Sequence, residues 1–167
     1  MKALAFGLLI LALSMTTLRA QQPAASSPAA AAQLFSSSVD VTALIAKAKS
    51  EIKPGQPMVG LPILQLAPYR ANLEYRVAVG PASIHEKDAE MFYVIDGSGT
   101  IVTGGSLSEE RRTNPDNRSG TGVQGGSSRR VAKGDFVMVP ENTAHWFSAI
   151  DGTLVLMSLH LPRPTAH

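Results

Sequence analysis

The stretch Gly80–Gly97, GPASIHEKDAEMFYVIDG, decides how the rest of the chain is read. It sets His85 and Glu90 on either side of the polar run Glu86-Lys87-Asp88. An unbroken apolar strand, Met91 to Ile95, then runs into Asp96-Gly97. Side chains on a strand alternate faces, so His85 and Glu90 would point to opposite sides of one regular strand. A turn or bulged bend at Glu86–Asp88 resets that parity and lets both face one interior. An imidazole and a carboxylate brought together in this way suit a metal site, provided that another imidazole arrives from elsewhere. The candidate is His145.

His145 lies in a second informative stretch, GDFVMVPENTAHWFSA, Gly134 to Ala149. A strand ends at Pro140, a turn follows at Glu141-Asn142, and His145 opens the next strand. Neutral imidazole and carboxylate are common ligands for zinc, iron, manganese and nickel, and two His with one Glu is the minimal open site. Three protein ligands leave positions for water or substrate. Strand parity puts Phe92 and Val94 with Glu90, Phe147 with His145 and Ser83 with His85, so these four are expected to line a pocket unless they simply pack in the core. Trp146 has the opposite parity and is expected between sheets or at a subunit contact. His160, on the last strand, is read first as packing, with the pocket as its alternative.

Working outward, the chain from Pro57 onward carries strand signals. Leu73, Tyr75, Val77 and Val79 alternate with Asn72, Glu74, Arg76 and Ala78, the pattern of a half-buried strand. Further strands are predicted at Met91–Ile95, Thr100–Thr103, Asp135–Val139, His145–Ile150 and Thr153–Leu161. Turns are signalled at Asp96-Gly97, Gly104-Gly105, Lys133-Gly134, Glu141-Asn142 and Asp151-Gly152. Met91–Ile95 and Leu154–Leu159 are apolar on both faces and need cover on both sides. The segment Gly104–Arg130, glycine-rich and poor in apolar residues, reads either as a solvated mobile insertion or as a charged flank for an anionic ligand. Many short strands and one early helix indicate an all-β antiparallel sandwich or barrel.

That helix is predicted from Val41 to about Lys53, with Asp40 as its cap and Pro54-Gly55 as its stop. Val41, Leu44, Ile45, Ala48 and Ile52 form one apolar stripe. Ahead of it, residues 21–38 are rich in Ala, Ser, Pro and Gln and read as a disordered tether. Residues 1–20 have the build of a cleaved secretory signal: Lys2, an apolar run from Ala3 to Met15, then Leu18-Arg19-Ala20 before Gln21. The expected mature unit is therefore one domain over residues 39–167, periplasmic or secreted, with no stable membrane span after cleavage.

The chain has 15 Lys+Arg against 13 Asp+Glu, and loss of Lys2 and Arg19 with the signal brings the two to balance. A neutral mature protein gives no sign of nucleic acid as a partner. The absence of cysteine excludes thiolate metal sites and cysteine nucleophiles.

Both stretches resemble the two motifs of the cupin superfamily. The first cupin motif runs glycine, two histidines one apart, a glutamate and a later glycine. Glu90 and Gly97 keep the motif's gap, and His85 fits the second histidine, which leaves Ser83 in the place of the first. With Gly80 as the anchor instead, His85 falls toward the first histidine and Lys87 takes the second place; either way one imidazole is missing. The second motif is matched by Gly134, Pro140, Asn142 in a glycine place and His145, with Ala149 where asparagine is usual. Asn stands in for glycine because it visits left-handed backbone more readily than most residues. The resemblance implies a cupin-like double-stranded β-helix, or jelly-roll barrel, with one short N-terminal helix, often as a homodimer. It also implies one divalent transition metal (Fe, Mn, Zn or Ni) held by His85, Glu90 and His145 above a small-molecule pocket. Two functions follow: a metal-dependent enzyme of oxygenase or isomerase type, or a non-catalytic cupin that binds a small ligand without metal.

Overall fold

The computed structural model describes residues 32–163; the predicted signal and most of the predicted tether lie outside them. Among the described residues the chain forms one helix, α1 (Ser38–Glu51), and eleven strands. They are β1 (Met58–Leu66), β2 (Tyr69–Arg76), β3 (Ala82–His85), β4 (Asp88–Thr103), β5 (Ser106–Ser108), β6 (Arg111–Asn114), β7 (Asn117–Gly120), β8 (Gly122–Gln124), β9 (Ser127–Ala132), β10 (Phe136–Val139) and β11 (His145–Pro162). No described helix is long and apolar enough to cross a membrane.

Two long strands organise the rest. β4 and β11 pair antiparallel from end to end, Asp88 with Pro162 and Thr103 with His145. Sequence punctuation at Asp96-Gly97 and Asp151-Gly152 predicts a turn in each. The structure instead absorbs the glycines as bends inside continuous strands, with register shifts between Ile150 and Leu154. The first half of β4 and the second half of β11 belong to one layer, β1-β2-β11-β4-β10. The other halves belong to a facing layer, β6-β7-β3-β11-β4-β9. This is the expected jelly roll. Between the layers lies an apolar cluster of Phe92, Val94, Ile101, Val131, Val139, Phe147, Leu154 and Leu156.

The outer faces are covered differently. On the first layer, the α1 stripe meets Val59, Ile63, Ala71, Leu73, Tyr75 and Val155, with Ala48 fully buried at its centre. That helix also accounts for the apolar second faces of β4 and β11, since Ile95, Met157 and Leu159 pack against the same cluster. The helix starts earlier than predicted. Ser37, not Asp40, is its N-cap, and Asp40 is the reciprocal partner in a capping box: Ser37 Oγ accepts from Asp40 N, and Asp40 Oδ2 accepts from Ser37 N. Order reaches further back, to Gln33, which exchanges two backbone hydrogen bonds with Gln65 at the edge of β1.

Three further departures have plain causes. β1 carries no strand prediction because Pro62 interrupts its pattern, yet it is an edge strand, where proline is tolerated, and its one strand partner among the described residues is β2. Gly104–Arg130, read as a solvated insertion or a charged flank, holds regular structure. It forms the β5–β8 ribbon, which covers Ala82 and Ile84 on the outside of the second layer, together with β6, β7 and β9. β6 and β9 lie at sheet edges and are almost wholly exposed, so they carry charge rather than an apolar period. Lastly, β2 stops at Arg76, and its apolar side, Leu73 and Tyr75, is drawn outward to α1. Its polar side, Asn72, Glu74 and Arg76, therefore lies on the inner face beside Ser158, Leu156 and Leu154 of β11. Arg76 pairs with Glu74 at 2.6 Å and stacks 4.7 Å from the Phe147 ring.

Candidate metal centre

β3 ends at His85, the chain bends at Glu86-Lys87, and β4 begins at Asp88. The bend resets parity as required, and both His85 and Glu90 turn to the space between the layers. His145 reaches the same space from the start of β11, where it pairs with Ser83 and Thr103. The turn before it is held by Asn142, whose φ of 55° is the left-handed conformation expected at a glycine place. Asn142 N donates to His85 O at 2.7 Å, so the turn that aims His145 is fastened to the strand that carries His85.

One atom from each of His85, Glu90 and His145 lies within 4.8 Å of the others. Glu90 Oε2 is 3.2 Å from His85 Nε2 and 3.1 Å from His145 Nε2. The opposite ring nitrogens are engaged: His85 Nδ1 contacts Asn117 Oδ1 at 2.7 Å and His145 Nδ1 contacts the Thr143 carbonyl at 3.2 Å. A carbonyl only accepts, so Nδ1 of His145 carries the proton, and the same assignment follows for His85 facing an amide oxygen. In the neutral tautomer that this assignment gives, each ring turns its Nε2 lone pair toward the carboxylate. Glu90 Oε2 is buried and accepts a hydrogen bond from neither ring. Three lone-pair donors thus converge with no proton aimed between them.

Glu90 is only 3 % exposed. Its other oxygen, Oε1, accepts a hydrogen bond from Ser158 Oγ at 2.7 Å and lies 3.3 Å from His160 Nε2. Burial alone would raise the Glu90 carboxyl. The neighbouring imidazoles of His145, His85 and His160 outweigh it and hold the group well below the ordinary range. Burial also works against charge on His85, but Glu90, Asn117 and Asp88 more than offset it, and the ring is raised above its usual value. His160 goes the other way: burial dominates, Glu90 opposes it, Arg70 and His85 add to it, and the ring is lowered below its usual value.

Among the expected wall residues, Ser83 lies directly across from His145 on β3, half-buried. Phe92, Val94 and Phe147 are 3 % exposed or less and belong to the central apolar cluster. The Phe92 ring lies 5.9 Å from His145 and 5.3 Å from Phe147. These three form a packed floor beneath the imidazoles and offer almost no surface to a ligand, because the two layers close tightly on them. The polar row Asn72, Glu74 and Arg76 was not expected at the interior. His160 takes its alternative place, beside the centre, although its only sequence signal is a position on the last strand. Trp146, expected between sheets or at a subunit contact, packs against Ala82, Ile84 and the β5–β8 ribbon, its Nε1 donating to Gly80 O at 2.9 Å.

A cavity of about 430 Å³ adjoins the centre, lined in part by Arg70, Lys87, Asp88, Asn117 and Arg163. It touches the site through Asn117, the partner of His85, and Asp88, 3.5 Å from His160 Nδ1. A larger cavity of about 870 Å³ opens between the end of α1 and Glu109–Arg111 and shares no residue with the centre. The charges of Gly104–Arg130 are largely spent internally. Arg112 and Arg118 clamp Glu86, at 3.0 and 2.8 Å, and so brace the bend beside His85.

The cupin family profile matches residues 56–164, nearly the whole of the described β-structure. The chain belongs to the cupin family. Among solved structures this cupin is similar to a candidate sugar phosphate isomerase from Acidithiobacillus ferrooxidans, with 18 % identity and a TM-score of 0.52, covering 78 % of this chain and 75 % of that one. It is likewise similar to BH2720 from Bacillus halodurans, with 13 % identity and a TM-score of 0.51, covering 81 % of this chain and 86 % of that one. Likenesses at such identities speak for the fold alone. No curated protein matches the chain.

Proposed function

We propose that this cupin holds one divalent transition-metal ion, iron, manganese, nickel or zinc, through His85, Glu90 and His145, and uses it as an enzyme on a small polar ligand. The observation that carries the reading is Glu90 Oε2, an anionic oxygen facing two ring lone pairs without a hydrogen bond to either. Such an arrangement is repulsive until a cation sits among the donors. The donor set, two imidazoles and a carboxylate, suits these metals. So do its supports, since metal-binding histidines ordinarily tie the remote nitrogen to a carbonyl or amide oxygen.

A metal here would supply Lewis-acid polarisation of a ligand oxygen, the common element of the isomerase and oxygenase chemistries expected for this site. The chain's own residues do the rest. Asn117 and the Thr143 carbonyl fix the tautomers and ring orientations. Ser158 holds Glu90 through Oε1, which leaves Oε2 turned to the imidazoles. The packed floor of Phe92 and Phe147 keeps water from below. A ligand entering by the cavity at Asp88 and Asn117 meets Arg70, Lys87 and Arg163, and the inner wall carries Asn72, Glu74 and Arg76. Both favour a polar ligand over an apolar one.

Elemental analysis of the purified protein tests the reading, with Glu90→Ala as its control. One equivalent of metal is expected in the native protein, with loss of both metal and turnover in the variant. The competing reading, a metal-free binding module, has in its favour N···O separations short enough for hydrogen bonds once a ring is protonated. It predicts no metal in either protein, and ligand-induced stabilisation that survives the substitution.

We further propose that residues 1–20 direct export and are removed, so that the mature barrel works in the periplasm or outside the cell. Amino-terminal sequencing of envelope-associated protein should then begin at Gln21. The same reading includes a homodimer. Phe136 and Met138 of β10 are 66 % and 54 % exposed, and Phe136 packs on Tyr93 to form an uncharged patch. An uncharged patch can meet its own copy about a twofold axis without like charges opposed. Sedimentation of Phe136→Lys should show monomer where the native chain shows dimer.

A further inference from the structure

The site is one imidazole short of the cupin motif, because Ser83 stands where the first histidine belongs. We propose that His160 supplies the missing imidazole from a different strand, with Glu90 presenting both carboxylate oxygens to the same ion. This deepens the metal-binding reading and rests on it. His160 and Glu90 are direct partners across the β4–β11 ladder, so their side chains share the inner face. His160 Nε2 stands 3.3 Å from Glu90 Oε1, and its ring meets His85 edge-on with centroids 4.8 Å apart. The side chain is 8 % exposed, and Nδ1 is turned away toward Asp88, which leaves Nε2 as the nitrogen that faces the centre.

The three imidazoles lie at 3.1, 3.2 and 3.3 Å from the carboxylate oxygens. Donors at right angles around an ion with bonds of about 2.1 Å are separated by about 3 Å, so all three spacings are those of neighbours in one coordination shell. His85 and His145 gather at Oε2 while His160 lies at Oε1, outside the group whose donors all fall within 4.8 Å of one another. A carboxylate that uses both oxygens joins the two sides. The Ser158 bond to Oε1 occupies one lone pair and leaves another free.

The test is zinc binding to the metal-free native protein, to His160→Gln, and to His160→Gln combined with Ser83→His. Affinity is measured by competition with a chromophoric chelator, and imidazoles are counted by X-ray absorption of the zinc-loaded samples. The native protein should show three imidazoles. His160→Gln should show two and bind zinc at least about tenfold more weakly, and histidine at position 83 should restore the third. Two imidazoles in the native protein, or an unchanged count and affinity in His160→Gln, would overturn the proposal and leave His160 as a neighbour of Glu90 only. The native count decides the matter even if a variant fails to fold. A native protein that takes up no zinc, iron, manganese or nickel would instead sink the metal-binding reading itself, and this inference with it.

Discussion

Glu90 shows how a single side chain is made to stay charged where water is nearly absent. Removing an ionised carboxylate from water costs several kcal/mol, and in the metal-free protein the Ser158 hydrogen bond offsets part of that cost. Ser158 is itself buried, and it makes the one well-formed hydrogen bond to the carboxylate. Ser158→Ala should therefore destabilise the metal-free protein by about 1.5–3 kcal/mol, read from urea unfolding, because a charged acceptor loses its donor. A change within error would mean that the carboxylate is satisfied otherwise. His85, Glu90 and His145 were legible in the sequence because their spacing follows two local motifs, and the bend at Glu86-Lys87 could be inferred from parity alone. His160 was not, since its partnership with Glu90 depends on the long-range register of β4 against β11. Asn72, Glu74 and Arg76 were missed for a related reason. Alternation shows that a strand has two faces but not which of them an added helix will claim.

At the scale of elements, the most instructive case is the pair of long strands. Glycines at positions 97 and 152 look like turn signals, and locally they are, with φ of 80° and 74°. Continuous pairing on both flanks turns each signal into a corner of the barrel, so four predicted short strands become two. Gly97 cannot be replaced cheaply: a Cβ there would lie 1.9 Å from the Thr153 carbonyl oxygen, in a backbone conformation that L residues avoid. Gly97→Ala should cost more than about 2 kcal/mol in urea unfolding, or prevent folding outright. A loss of a few tenths would show that the corner relaxes freely. The helix is more forgiving. Ser37→Ala removes one half of the capping box and should cost about 1 kcal/mol by the same measurement, with the far-UV spectrum unchanged. The predicted helix had the right stripe and a start three residues late, because Asp40 is as plausible a cap by type as Ser37 and only the geometry separates them.

Several carboxylates across the molecule are held below their ordinary values. Hydrogen bonding from Arg112 lowers Glu86, Arg163 lowers Glu141, Ser98 lowers Asp151, and the imidazoles lower Glu90 against its burial. For each, the unfolded chain takes up its proton at a higher pH than the native one. Their stabilisation is thus fully present above the free-carboxyl values of 3.8 to 4.5 and is lost as the pH falls through the lowered native values. His85, raised in the fold, acts in the opposite sense: its contribution is complete below 6.5 and fades as the pH rises through its native value. Urea midpoints of the metal-free protein should fall steeply below about pH 4 and decline gently above about pH 7. A flat acid limb would show that these pairs contribute nothing measurable.

The proposed function requires one ion shared by His85, Glu90 and His145 inside the barrel. Anomalous scattering from a crystal of the metal-loaded protein measures this directly. We predict a single peak at bonding distance from Nε2 of His85, Nε2 of His145 and the Glu90 carboxylate. Density with no peak among those atoms after loading, or a peak held by surface carboxylates alone, would contradict it.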